Sequence, residues 1–155
     1  MGYAVVTLHG TGSFTYRECG LITANKKAPI ELRLAELGEG LASVLSEYAV
    51  TEAAVEDIFV GDNVRSAFVL GQARGMVLYL LGGSSVPVTS YAPTKVKKYV
   101  TGRGRAPKAQ VRRSVSLLAN LGSEPAEDAA DALAIALCHA MHLKVMMRPS
   151  GKELR

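Results

Sequence analysis

Two aspartates three residues apart, Asp128 and Asp131 in the run Glu127-Asp-Ala-Ala-Asp-Ala-Leu-Ala-Ile-Ala-Leu137, stand on an alanine-rich amphipathic stretch near the end of the 155-residue chain. Residues at i and i+3 share a helix face, so both carboxylates point the same way. Ala132, Ile135 and Ala136 beside them are expected to pack against a core and hold the acids at its edge. Hard oxygen donors held that close suit Mg²⁺ or Mn²⁺. The competing reading is that acids in a first helical turn complement the helix dipole, and Ser123, Glu124 and Pro125 do look like a helix start. A metal site therefore needs ligands from elsewhere.

The best source is Thr51-Glu-Ala-Ala-Val-Glu-Asp-Ile-Phe-Val60, bounded by Gly61-Asp62 and rich in β-branched and aromatic residues, which reads as a buried strand. Glu56 and Asp57 lie toward its C-terminal end. In an open α/β sheet ligands bind outside the carboxyl ends of strands. Alternation separates Ala54, Glu56 and Ile58 from Val55, Asp57 and Phe59. Glu56 is the site candidate, and Asp57 reads as marking the strand's exit to solvent.

Tyr91 to Arg113 carries Lys95, Lys97, Lys98, Arg103, Arg105, Lys108, Arg112 and Arg113, and no acid. Removing these eight from the 18 basic residues leaves 10 against 14 acidic ones, so the formal charge of +4 is a local patch. Such one-sided clustering is the footprint expected for a phosphate backbone. Gly102-Arg-Gly-Arg105 supplies flexible cations, while Val111, Val115 and Leu118 form an apolar stripe that turns Lys108 and Arg112 outward.

At 155 residues and 48% hydrophobic content, the chain is expected to fold as one domain with a sizeable core. Only Cys19 and Cys138 are present, no apolar run appears long enough to span a bilayer, and no signal sequence opens the chain. That combination points to a soluble, reducing, cytoplasmic setting without a membrane. His139 and His142 lack the further His or Cys of a zinc set and read as ordinary residues on the exposed or late part of their helix.

The elements that must position these residues run strand, strand, helix, strand, helix, strand, then helices. Tyr3 to Leu8 and Thr15 to Ile22 make a hairpin around Gly10-Thr-Gly12. Pro29 opens a helix with the stripe Leu34, Leu37, Leu41, Val44 and Tyr48. The helix from Asn63 to Leu81 is apolar nearly all round, so it must be covered on both sides, by the sheet and by a second layer or a second copy. Gly71 and Gly75 would permit close approach there. Val86 to Tyr91 is the next strand.

Ala54-Val-Glu-Asp-Ile-Phe59, Leu70-Gly-Gln-Ala-Arg-Gly75, Val96-Lys-Lys98, Pro107-Lys-Ala-Gln-Val111 and Asp128-Ala-Ala-Asp-Ala-Leu-Ala-Ile-Ala136 together resemble the RuvC family of bacterial Holliday-junction endonucleases. The likeness runs nearly the whole length. It implies an α/β, ribonuclease H-like mixed sheet flanked by helices, a homodimer formed through Ala67 to Leu81, and two-metal hydrolysis of DNA phosphodiesters in recombination and repair. On that resemblance Glu56, Asp128 and Asp131 are three of four acids holding Mg²⁺ (or Mn²⁺), although some relatives carry His at the place of Asp128. Lys97 and Lys108 match cations near the scissile phosphate, with Arg65, Lys98, Arg103, Arg105 and Arg112 as further DNA-facing cations. Phe59 matches an aromatic that stacks on bases at an opened junction, and it reads equally as a core residue ending a strand. Four-way junction DNA and a branch-migration complex of RuvA and RuvB type are the implied partners.

The family's first catalytic acid lies in an Asp-Pro-Gly stretch on the first strand, ahead of a Thr-Gly-Tyr. Here Met1-Gly2-Tyr3 stands where that Thr-Gly-Tyr belongs. The resemblance therefore implies a nuclease domain over residues 1–148 that lacks its first central strand and aspartate, followed by a tail over 149–155, with the natural start lying upstream. Three readings follow: a junction-resolving nuclease with a late start, a catalytically silent junction binder, and a structural partner with no nucleic-acid role.

Overall fold

The structure, a computed structural model, describes residues 1–57 and 63–147. Strands β1 (Gly2–Leu8) and β2 (Phe14–Leu21) form an antiparallel hairpin with a bulge at Val5 and Val6. The His9 and Gly12 amides close its turn on the Ser13 and His9 carbonyls. Gly12 takes a φ of 78°, a left-handed conformation in which a side chain is strained.

Helix α1 (Ile30–Glu47) follows, with Pro29 at its N-cap. Leu34, Leu37, Leu41 and Val44 are only half-buried, and no residue of this helix is fully covered. Strand β3 (Ala53–Glu56) pairs in parallel with β4 (Val88–Tyr91), Glu56 opposite Tyr91. Between them runs α2 (Val64–Gly83), capped by the Asn63 side chain accepting from the Ser66 amide.

Helices α3 (Pro93–Thr101), α4 (Lys108–Leu118) and α5 (Glu127–Met147) complete the order. Gly102 ends α3 with a φ of 76°. The core joins Tyr91, Val96, Val100, Val111 and Val115 to Ala130, Leu133, Ala134, Leu137 and Cys138 of α5. Alanines let α3, α4 and the β1–β2 hairpin approach α5 closely, so this helix is the centre of the molecule. Contrary to the sequence expectation, Glu127–Met146 is long and apolar enough by length and composition to cross a membrane. Here its apolar residues are spent on a protein core.

Several expectations are corrected. Helix α5 begins at Glu127 rather than at Ser123 to Pro125. Leu118 is exposed, because α4 ends there and the stripe is completed by the half-buried Ala119 and Leu121. His139 is 6% exposed rather than superficial, because the apolar face of α5 continues through it. Of Ala132, Ile135 and Ala136, all half-buried, Ile135 packs against the core as expected, while Ala132 and Ala136 border a cleft and Ala130, Leu133 and Ala134 take the core positions.

Among the described residues the strands form two two-stranded sheets, antiparallel β1 with β2 and parallel β3 with β4, in keeping with a mixed sheet that lacks the central strand between them. Between them lies a cleft of about 1280 Å³. It is lined by the whole of β1 and β3, by Leu41 and Val44 of α1 and Tyr48 just after it, by Ala73, Arg74 and Val77 of α2, and by one side of α5 between Asp128 and Leu143. The half-buried Leu41 and Val44 of α1 and Ala73 and Val77 of α2 face this void.

Candidate nuclease site

Sequence places the three acids on two elements that end at the same cleft. Strand β3 ends at Glu56, and α5 presents Asp128 and Asp131 in its first two turns. All three line the cleft. Glu56 is exposed to it, and the protein around its carboxyl raises its pKa; the negative charge of Asp131 raises it further, against the opposing Lys97 and Lys108. Half-buried Asp131 is raised by burial, with Lys108 and Lys97 opposing and Glu127 and Asp128 adding to the rise. Two carboxyls destabilised as anions, with cations within electrostatic reach, form a local environment that rewards a further positive charge.

Glycine sets how closely β1 meets this helix. A Cβ on Gly2 would collide with the Asp128 carbonyl, so only glycine lets the strand lie against the turn that carries the acids.

Lys97 of α3 and Lys108 of α4 are the cations that act on Glu56 and Asp131. Lys97 is half-buried on α3; Lys98, Arg103 and Arg105 are exposed beside it. Lys108 opens α4 and donates to Glu127, one residue before Asp128. That carboxylate raises the Lys108 pKa and is itself lowered by the lysine. Arg112 is half-buried and pairs with Glu124 at 3.4 Å. Arg65 is exposed at the start of α2. Phe59 lies outside the described residues.

Sequence reasoning missed two residues beside the site. Arg74 of α2 donates to the Glu56 carbonyl and, over 2.6 Å, to Ser90 Oγ, with Asp57 at 3.6 Å. Its signal was available: Arg65 and Arg74 are the only charged residues in the apolar α2 sequence. His139 shares a 3.0 Å hydrogen bond with the Tyr91 hydroxyl and faces Glu52 at 3.8 Å. Nothing in the sequence marks that pair.

The donor set consists of carboxylate oxygens, and it fits a hard divalent cation. Among the described residues, however, no three His, Cys, Asp or Glu side chains are grouped closely enough to hold an ion by themselves.

The chain matches the family of the crossover junction endodeoxyribonuclease RuvC over residues 1–139. The chain belongs to the RuvC family. Its relatives include the crossover junction endodeoxyribonuclease RuvC of Azorhizobium caulinodans, 48% identical over 141 residues, covering 91% of this chain and 83% of that protein. That of Brucella suis is 44% identical over 136 residues, covering 88% of this chain and 75% of its own length. The RuvC structure of Thermus thermophilus superimposes with a TM-score of 0.82 at 30% identity, covering 94% of this chain and 90% of the other. The same bacterium's RuvC in complex with Holliday junction substrate gives 0.85 at 29% identity, covering 94% and 89%. The fold is accordingly ribonuclease H-like, and family membership places the chain among hydrolases that act on DNA.

Proposed function

We propose that this chain is a metal-dependent, structure-specific endonuclease that nicks four-way DNA junctions symmetrically, as a homodimer, in recombination and repair. One observation carries the reading: Glu56 from β3 and Asp131 from α5 line one cleft, and Lys97 and Lys108 lie within electrostatic reach of both. A phosphodiester is an anion approaching other anions, and this arrangement supplies both the ligands for a divalent ion and the charge to draw the backbone in. Glu56, Asp128 and Asp131 would hold Mg²⁺ or Mn²⁺. The bound ions supply Lewis acidity and a water acidified toward neutral pH. Lys97 and Lys108 neutralise the phosphate, and Lys98, Arg103, Arg105, Arg112 and Arg65 extend the footprint.

The dimer reading rests on α2. Val64, Phe68 and Tyr79 are exposed along a face they share with Gly71 and Gly75, and a Cβ built on either glycine meets nothing within 4 Å. Phe68 is 68% and Tyr79 79% exposed, a large apolar area for a single face to leave in water. A second copy covers it and sets two sites in two-fold symmetry, as cutting two strands requires.

The split sheet favours a second reading, in which the chain alone binds junctions without cutting them. A strand laid in the cleft would pair with β1 on one edge and with β3 on the other, and an acid on it would complete the ligand group. Without it, each strand edge facing the cleft is left to water. The test is junction nicking in Mg²⁺, with the protein alone and with an added strand-forming peptide. Paired cuts on opposing strands that chelation stops support the enzyme; junction binding with no cuts under either condition supports the silent binder.

A further inference from the structure

We infer that Arg74 is a positioning residue for Glu56, clamping the end of β3 so that its acid faces the cleft. Among the described residues strand β3 runs for four residues and ends at Glu56. The Asp57 amide continues the pairing, donating to the Tyr91 carbonyl at 3.0 Å. A short strand end gains local stability from bonds supplied by another layer.

Arg74 supplies that hold from a different layer. One terminal nitrogen, Nη1, donates to the Glu56 carbonyl; the other, Nη2, donates to Ser90 Oγ at 2.6 Å and lies 3.6 Å from Asp57 Oδ1. One planar fork thus spans the ends of β3 and β4. The bond to the Glu56 carbonyl fixes the peptide plane from which the carboxyl departs, and a wrong plane would turn the acid away from Asp131. Lysine cannot substitute, because a single ammonium on a flexible stem lacks the two-pronged geometry. The Arg74 side chain is 22% exposed, so its bonds are partly shielded from water. This role rests on reading Glu56 as a metal-holding acid.

The test compares wild type with Arg74→Gln, Arg74→Lys and Ser90→Ala, using Glu56→Gln as reference. Two readouts are needed: amide hydrogen exchange residue by residue, and Mn²⁺ affinity from water-proton relaxation. The expected result is that Arg74→Gln speeds exchange at the Asp57 amide by roughly tenfold or more and leaves the Val115 and Leu133 amides unchanged. Mn²⁺ binding should weaken by a similar factor, Arg74→Lys should not restore it, and Ser90→Ala should show a smaller effect at the same amide. Unchanged exchange at Asp57, a uniform rise through the core, or wild-type Mn²⁺ affinity in Arg74→Gln would each overturn the positioning role. If Glu56→Gln itself leaves Mn²⁺ binding intact, the reading of Glu56 fails and takes the role of Arg74 with it.

Discussion

The Tyr91 hydroxyl and Nδ1 of His139 lie 3.0 Å apart, a polar bond that ties the end of β4 to the middle of α5 inside the core. Burial holds the His139 pKa below its ordinary value of 6.5; Glu52 pulls upward and His142 adds to the depression. The unfolded chain therefore binds a proton on this ring before the folded one does, and stability is lost as pH falls below 6.5 toward the lower native value. Urea unfolding on either side of that pH should show a steeper acid loss in wild type than in His139→Gln. Equal pH dependence would mean that His139 does not titrate on unfolding.

Gly2 carries a second expectation. Because a Cβ there meets the Asp128 carbonyl, Gly2→Ala must push β1 away from α5. Forced backbone shifts of this kind cost about 1–3 kcal/mol. Thermal melts should show a clear loss of stability, and a melting temperature equal to wild type would show that the strand and helix are not in close contact.

Most of the element order was legible in the sequence because it rests on local signals. Pro29 marks a helix start by its fixed backbone, Asn63 by a side chain that accepts from the Ser66 amide, and the Gly10 to Gly12 turn marks the hairpin. Glu56, Asp128 and Asp131 were expected together by resemblance, and the structure places all three along the lining of one cleft. What was not legible depends on distant partners. No local pattern tells that His139 meets Tyr91 or that Glu127 holds Lys108, and the isolated charge of Arg74 in an apolar helix marks the residue without naming its partners on β3 and β4. The division into two small sheets, by contrast, was legible from the resemblance, which implied that the central strand between β1 and β3 is lacking.

Lys97 and Lys108 are expected to contribute charge to junction binding rather than shape. Replacing both by Ala should lower affinity and reduce the log–log salt slope by about two units, roughly one per lost phosphate contact. Glu127→Gln, which frees Lys108 from its ion pair, should act in the opposite direction on affinity. Fluorescence anisotropy on a four-way junction over a range of salt concentrations measures both, and an unchanged slope in the double variant would place the DNA on another surface.

Placing Glu in place of Phe68 on the exposed face of α2 should drive the protein toward monomer without unfolding it, because that side chain is 68% exposed and stands outside the core cluster formed by the described residues. Sedimentation velocity reads the change. A variant that sediments as wild type would move the dimer contact elsewhere.

The most direct test of the acid site is to set Glu56→Gln and Asp131→Asn beside wild type in Mg²⁺-dependent nicking and binding of one labelled four-way junction. Each substitution removes a ligand charge at nearly constant volume, while the binding energy lies mainly in phosphate contacts elsewhere. The account predicts paired nicks on opposing strands from the cleavage-competent wild type, their loss in both variants, and junction affinity within about twofold of wild type throughout. Wild-type nicking by either variant would contradict it.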